Sequence, residues 1–527
     1  MLKQIFISPS SASFELDQPS CYYALQIYDI YLNGELVRTE DRNVFSLYGL
    51  LPDTEYMIKI KYSDVEEEVS FRTEPASVTL NVRDFYALGD GQHNDTGAIQ
   101  AALLSCPEGG RVVIPAGRYL VTALFLKSDI RLELEKDAVL LGETDRHKYP
   151  VLPGRIPMED GEEMYLGTWE GEPDDLFASM ITGIDVENVK VYGEGILDEN
   201  AQNSDWWVDH KVKRVARRPK GIFLNHCRNI SFQGITVKNT PSWNQHPFFC
   251  RDISYVDLLL TSPKNSPTTD GCDPESCRGV KIIGCRISVG DDCIAIKSGK
   301  AEFGKKFRTP SEQITIKNCL MEFGHGGVTL GSEMSGGVRD ISVTQCIFRD
   351  TDRGLRIKTR RGRGNTAVID GITFENIQME RVLAPLTINM FYKAGSEAYV
   401  AEHFDRSPMP VDDTTPYLGH FTFRSLKISG AQWGAGYFLG LPEQPIESVQ
   451  IENVVFEMAE DAKEGVIIMT PENPTVCRQG LYFENVNHVC LNRVRVDGAV
   501  GDACIFHNVG DKIITETLDS AGGREHV

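Results

Sequence analysis

Short runs in which apolar and polar residues alternate dominate this chain. Alternation with a period of two buries every second side chain and marks half-buried strands. From about residue 110 onward these runs recur as a series: Ile222-Phe-Leu-Asn, Ile230-Ser-Phe-Gln, Val280-Lys-Ile-Ile, Ile314-Thr-Ile-Lys-Asn-Cys, Ile341-Ser-Val-Thr-Gln-Cys, Ile372-Thr-Phe-Glu-Asn-Ile and Val449-Gln-Ile-Glu-Asn-Val. Equivalent runs lie roughly 20 to 35 residues apart, a repeat length that signals a solenoid. Strands of four or five residues closed by Asn, Cys or Gly, with no helices between them, predict an all-β chain wound as a right-handed parallel β-helix. Successive coils would then stack at about the inter-strand distance of 4.8 Å.

The first 76 residues follow a different pattern. Tyr23-Ala-Leu-Gln-Ile-Tyr, Asp29-Ile-Tyr-Leu and Tyr56-Met-Ile-Lys-Ile-Lys-Tyr alternate between turn signals at Asn33-Gly34 and Pro52-Asp53, which predicts a small β-sandwich. Leu50-Leu-Pro-Asp-Thr-Glu-Tyr56, followed by Phe71-Arg-Thr73, resembles the corner and last strand of a fibronectin type III domain, where a Tyr hydrogen-bonds back to the backbone. The competing reading is one more sheet of a larger domain. Glu74-Pro75-Ala76-Ser77 reads as a linker, giving domains over 1–76 and 77–527. In the second domain, Asn94-Asp-Thr-Gly opens a helix near 94–106 with Ile99, Ala102, Leu103 and Cys106 on one face, suited to capping the solenoid. The glycines before it are not followed by Gly-Lys-Ser/Thr, so they do not form a phosphate loop.

Composition narrows the function classes. The 527 residues are 41% apolar and 24% charged, an ordinary globular balance, and no run approaches the about 18 apolar residues that span a bilayer. The 54 Lys and Arg against 75 Asp and Glu leave a net charge of −21, which argues against a nucleic-acid partner. An anionic substrate would need a local basic patch working against that field. The 13 cysteines are odd in number and spread through a long chain, and the first twenty residues lack a secretory pattern; the expectation is a reducing, cytoplasmic location. Cys272, Cys277, Cys285, Cys293, Cys319 and Cys346 contain no C-x2-C spacing and read as small hydrophobes stacked in the core, with no metal centre expected.

Four polar clusters fall on consecutive coils. They are Ser266-Pro-Thr-Thr-Asp270-Gly-Cys-Asp273, then Gly290-Asp291-Asp292, then Gly324-His325-Gly326-Gly327, then Arg353-Gly-Leu-Arg356-Ile-Lys358-Thr-Arg360. Residues one coil apart sit side by side, so the clusters predict one surface patch. In the fourth, the pleat puts Arg356, Lys358 and Arg360 on the face opposite Leu355 and Ile357. With Arg353, Arg361 and Arg363 this makes six cations in eleven residues, either the patch a carboxylate substrate needs or a solvated basic loop. Asp270, Asp291 and Asp292 would repel, so one is expected to hold a proton, the state glycoside cleavage requires of its acid. Gly290 is expected to allow a bend that turns both Asp291 and Asp292 outward. A carboxylate turn or a calcium site is the alternative.

The ordered set Thr-Asp270-Gly, Gly-Asp291-Asp292, Gly-His325-Gly and Arg356-Ile-Lys358 resembles glycoside hydrolase family 28, the polygalacturonases. Val82-Arg-Asp-Phe, Asp205-Trp-Trp, Ser242-Trp-Asn-Gln-His-Pro247, Asp273-Pro-Glu-Ser276 and Gly331-Ser-Glu-Met-Ser-Gly-Gly337 agree, and the resemblance covers roughly residues 78 to 480. The family's Asn-Thr-Asp reads Thr268-Thr269-Asp270 here, which leaves the carboxylate and alters its surroundings. The resemblance implies inverting hydrolysis of α-1,4-linked galacturonate in an oligo- or polysaccharide, without a cofactor or metal. It makes Asp291 the general acid, Asp270 and Asp292 the groups that activate water, and His325 a tuning partner of the acid. Arg356 and Lys358 would bind a substrate carboxylate. Tyr392, in Asn389-Met-Phe-Tyr392, would complete a sugar platform or serve in packing.

The segments 150–179 and 205–220 interrupt the repeat, and the second carries Lys211, Lys213, Arg214, Arg217, Arg218 and Lys220. They could wall off one end of the cleft and hold a terminal uronate, so exo cleavage is expected, as the sandwich-plus-helix arrangement of bacterial exo-acting members also implies. The alternatives are a related glycosidase of rhamnogalacturonan or modified galacturonan, a calcium-dependent pectate lyase, and a non-catalytic carbohydrate-binding β-helix.

Overall fold

The computed structural model describes residues 1–63, 65–393 and 400–516, and the backbone of 518 and 519. The last stretch of the expected helical domain, 520–527, lies outside the described residues.

Seven strands build the N-terminal region: β1 (Leu2–Ile7), β2 (Ala12–Leu16), β3 (Tyr23–Leu32), β4 (Glu35–Arg42), β5 (Val44–Leu47), β6 (Glu55–Tyr62) and β7 (Val65–Arg72). They form two antiparallel sheets, β1–β2–β5 and β4–β3–β6–β7. Alternation sends Phe14, Phe45, Ile30, Ile58, Ile60 and Phe71 into one buried core between the sheets. At the corner before β6 the Tyr56 hydroxyl accepts the Leu51 N–H at 2.9 Å.

Helix α1 (Thr96–Ser105) covers the first coil with Ile99, Ala102 and Leu103 buried. Asp95, at its start, accepts the N–H groups of Leu88 and Gly89 rather than capping the helix itself. Beyond it the chain winds as a right-handed parallel β-helix. Arg131–Leu134, Glu187–Gly193, Arg228–Gln233, Arg251–Val256, Arg278–Ile283, Ser311–Lys317 and Val338–Thr344 pair in parallel, each with the next coil. A second parallel row includes Ile222–Asn225 and Gln245–Phe248, and further along it Ile294–Ile296, Val328–Gly331, Arg353–Lys358 and Ala384–Asn389. The corner between coils is turned by Asn188, Asn229, Asp252, Gln313 and Asp340, all with φ between 53 and 58°, a conformation that short polar side chains tolerate best. All thirteen cysteines are free, and ten are buried. Cys227, Cys250 and Cys277 stack on successive coils, each N–H reaching the next sulfur at 3.3 and 3.4 Å.

Two features depart from expectation. A short helix, Ala301–Phe307, stands beside the solenoid; its Phe303 fills an apolar pocket with Phe248 and Trp169 that no strand pattern announces. The expected linker is docked, because Glu74 pairs with both Arg131 and Lys190. The sandwich lies along the solenoid through polar contacts: Ser10 to Glu133, Ser11 to Gln233, Arg42 and Ser46 to Asp257, Asn43 to Asn318, and the Tyr22 N–H to the Gln345 carbonyl. Cys21 continues the series to the Asn376 carbonyl. Among the described residues no helix is long and apolar enough to cross a membrane.

Candidate active site

The row Gln245–Phe248, Ile294–Ile296, Val328–Gly331 and Arg353–Lys358 forms the floor of a cleft of about 430 Å³. Asp270, Asp291, Asp292, His325, Arg356, Lys358 and Tyr392 all line it. A larger groove, about 640 Å³, runs past Arg228, Arg251 and Arg278 and holds none of these residues.

The loops before the floor strands set the carboxylates. Asp270 is held from behind, its carbonyl accepting the Asn244 N–H and Nδ2 at 2.7 and 2.8 Å. Thr268, where the family pattern has Asn, accepts Arg218 Nη2 at 2.7 Å, and the Thr269 hydroxyl accepts the Gly290 N–H at 3.1 Å. Gly290 and the two aspartates lie in a turn, outside any strand. A Cβ on Gly290 would sit 2.4 Å from the Ser266 carbonyl oxygen, so the two loops touch only because that position is bare. The turn brings both aspartates to the cleft, but at different depths. Asp291 reaches the cleft at 26% side-chain exposure, whereas Asp292 is buried at 3%. Gly326 makes room for it: a Cβ there would stand 2.9 Å from Asp292 Oδ1.

Asp292 is clasped by two cations. Arg356 Nη1 lies 3.2 Å from Oδ1 and Lys358 Nζ 3.1 Å from Oδ2. Burial works against its charge, but Lys358 and Arg356 overcome this and hold the carboxyl far below the usual carboxylate range. Asp270 shifts the other way. Burial, then the nearby charges of Asp273 and Asp291, push its pKa well up, which favours the protonated form of Asp270 over the carboxylate. His325 Nδ1 stands 3.3 Å from Asp291 Oδ1, and that hydrogen bond raises the imidazole pKa.

One oxygen from each of Asp270, Asp291 and Asp292 lies within 4.8 Å of the others. That is a nearest-oxygen distance, shorter by nature than the about 6.5–9.5 Å between the two carboxyl groups of inverting glycosidases. The same triad is the group among the described residues that could hold a cation. Arg356 and Lys358 already neutralise Asp292, which favours an acid–base pair over a metal seat.

Of the six cations of the fourth cluster, Arg353, Arg356 and Lys358 line the cleft together, whereas Arg360, Arg361 and Arg363 do not join them. Only Arg356 and Lys358 meet the carboxylates. Arg353 donates to the carbonyls of Val466 and Ile467 and covers Trp433; Arg361 pairs with Glu443. The pleat argument placed the strand's faces correctly, but the residues after Lys358 leave the strand and turn to brace other loops. The basic segment 211–220 is likewise neutralised in part: Lys213 and Arg217 pair with Asp174, and Arg214 with Asp205.

Several cleft residues escaped the sequence reading. Lys297 is buried, 3.3 Å from Asp273 and 3.6 Å from Glu333. The same pleat rule would have found it, since Ile294 and Ile296 point inward and Lys297 falls on the cleft face. Trp243 and Glu170 also line the cleft, as does Met469, whose sulfur meets Arg356 Nη2 at 3.1 Å. Met469 comes from a distant segment that folds back, and no local pattern marks it. Tyr392 is 8% exposed, with Lys358 Nζ 5.6 Å from its ring centroid, and so backs the cation as well as facing the cleft.

Residues 121–407 match the model of glycosyl hydrolases family 28. A probable polygalacturonase of Vitis vinifera is 30% identical over 408 residues, 75% of this chain and 77% of that protein. An exo-poly-alpha-D-galacturonosidase of Dickeya chrysanthemi is 26% identical over 63% of this chain and 62% of its own. In fold, the chain superposes on a family 28 exopolygalacturonase of Yersinia enterocolitica with a TM-score of 0.63 over 98% of both chains, at 20% identity. The match to the family model over more than half the chain, on the coils that carry the three aspartates, makes this protein a member of glycosyl hydrolase family 28.

Proposed function

We propose that this hydrolase cleaves α-1,4-galacturonosidic bonds of polygalacturonate and its oligomers with inversion, one chain end at a time. The observation that carries the reading is the division of labour among the carboxyls. Asp292 is buried, ionised and clasped by Arg356 and Lys358, so it accepts the proton of the attacking water. Asp270, in its protonated form, donates a hydrogen bond that helps orient that water. Asp291, the most exposed of the three, faces the glycosidic oxygen; in its protonated form it gives its proton to that oxygen, and the carboxylate left behind is stabilised by His325. Arg356 and Lys358 keep donors for a galacturonate carboxylate, and Tyr392 borders the sugar.

The exo mode is supported by a hairpin, Thr168–Trp169 with Glu172–Pro173, whose turn residue Glu170 lines the cleft. Its Gly171 carbonyl accepts the Lys300 N–H at 2.9 Å, and Glu170 faces the opening. The Dickeya relative, an exo-poly-alpha-D-galacturonosidase, points the same way. The 3-on-4 strand order and the Tyr56 corner support reading 1–76 as a fibronectin type III-like module. Thirteen free cysteines support a reducing, cytoplasmic location.

A mass spectrum of early products from polygalacturonate, taken with EDTA present, tests the reading. Saturated mono- or digalacturonate without longer intermediates is expected. A ladder of saturated oligomers would overturn the exo assignment, and unsaturated products would overturn hydrolysis itself.

A further inference from the structure

Lys220 is a buried amine that the chemistry above does not use. Its side chain is fully enclosed, and Nζ finds no hydrogen-bond acceptor among the described residues. What surrounds it is aromatic: Nζ stands 3.6 Å from the ring centroid of Trp243 and 3.9 Å from that of Trp169. The two indoles lie nearly parallel, 9° apart with centroids at 6.0 Å, and the ammonium sits against both.

The two indoles come from different parts of the molecule. Trp243 precedes the floor strand Gln245–Phe248 and lines the cleft; Trp169 is paired with Glu172 in the hairpin whose turn carries Glu170, itself a cleft-lining residue. Lys220, together with Arg217 and Arg218 at 5.6 and 5.4 Å from the Trp169 ring, comes from the second segment that interrupts the repeat. The hairpin itself has only two paired residues on each side. A strap that short is not stable alone and takes its position from what it packs on. An unsolvated cation on an indole face is among the stronger forms of this attraction, and Trp is its best ring. Burial lowers the Lys220 pKa to about 7; Arg218 adds to the lowering, while Asp273, Asp270 and Glu170 oppose it. In mildly acidic solution the amine is therefore charged.

We infer that Lys220 is a positioning residue whose ammonium, held between Trp243 and Trp169, pins the 168–173 hairpin at the cleft and thereby restricts the enzyme to chain ends. The inference rests on the exo reading above and names the device that enforces it. Lys220→Met keeps the length and apolar stem but removes the charge.

Two measurements at pH 5.5 separate the clamp from the reading it rests on. Hydrogen–deuterium exchange of residues 168–173 should be about tenfold or more faster in Lys220→Met than in the wild type, with exchange of the solenoid strands unchanged. Early digests of polygalacturonate by the variant should contain saturated oligomers longer than the dimer, while Lys220→Arg restores the wild-type pattern. Unchanged exchange in the hairpin overturns the clamp whatever the products. Faster exchange with unchanged products overturns its link to end-selectivity. If the wild type already releases a ladder, the exo reading falls and the link to end-selectivity with it. The pinning itself is then decided by exchange. Should Lys220→Met fail to fold, Trp169→Leu empties the other side of the sandwich and is read by the same two measurements.

Discussion

Replacing Lys358 by Met removes one of the two cations on Asp292 and leaves the carboxylate buried. The contact is 3.1 Å, between side chains 11% and 3% exposed, so solvent screens it little. At that distance, with an effective dielectric of about 20, the attraction is about 5 kcal/mol. Truncating one member of a buried pair generally costs about 3–5 kcal/mol. At 1.36 kcal/mol per tenfold, this corresponds to about two to four powers of ten in the proton affinity of Asp292. The sign follows from the role. Asp292 acts as the ionised base and its pKa is depressed, so activity is present above that pKa and lost as pH falls through it. Removing Lys358 raises the pKa, and the acid limb of kcat/KM must move up by about two to four pH units. Initial rates of reducing-end release on trigalacturonate across pH 3 to 8 measure this, as an acid limb that enters the window in the variant while the wild type's stays below it, and Lys358→Arg serves as the control that keeps a cation. An acid limb that stays in place while only KM rises would refute the reasoning and leave Lys358 as a substrate ligand alone.

Asp291→Asn should lower kcat by about 10²–10⁴ without lowering the melting temperature, a loss of general acid rather than of fold; initial rates and thermal unfolding of the same sample check it. Proton NMR of the first product reads the stereochemistry: the β-anomer first is expected, and the α-anomer first would mean retention. Tyr56→Phe should cost the sandwich about 1 kcal/mol, the net worth of one hydrogen bond, read from denaturant unfolding. His325→Asn should change the basic limb of kcat/KM, because the imidazole, its pKa raised by Asp291, loses its charge as pH rises through that value; an unchanged basic limb would remove His325 from the acid's support.

Much of the fold was legible because a solenoid repeats one local rule. The pattern that marks Ile314-Thr-Ile also marks Ile341-Ser-Val and Ile372-Thr-Phe, so each coil confirms the last. The candidate residues followed from register, since Asp270, Asp291 and His325 occupy comparable turns of successive coils. What the sequence could not show is depth within turns and partnership across distance. Asp292 is buried and Asp291 only partly so, in a turn whose close approach to Ser266 no strand pattern shows. The cations after Lys358 looked like one patch because charge was counted along the chain, whereas Arg361 finds its partner in Glu443, 82 residues on. Lys220, Trp169 and Trp243 are a third case: each reads as ordinary until two insertions meet at the cleft.

The N-terminal sandwich bears on how the solenoid comes apart. A chain of stacked coils, each touching only its neighbours, resembles a row of books and can open anywhere, at a cost set by two faces. The register Glu133, Tyr192, Gln233, Val256, Ile283, Lys317, Thr344, Glu375 passes through eight successive coils. The sandwich touches this row from Glu133 at one end to Asn376 at the other. It therefore behaves as a bookend laid lengthwise along the spines: no coil in that span can part from the next without also tearing from a rigid body that holds both. The three aspartates belong to coils inside the span. Their coils are thus tied to one another by a domain that never enters the cleft, and a cut in the Glu74–Ser77 segment that released it would remove that tie while leaving the local contacts of the triad.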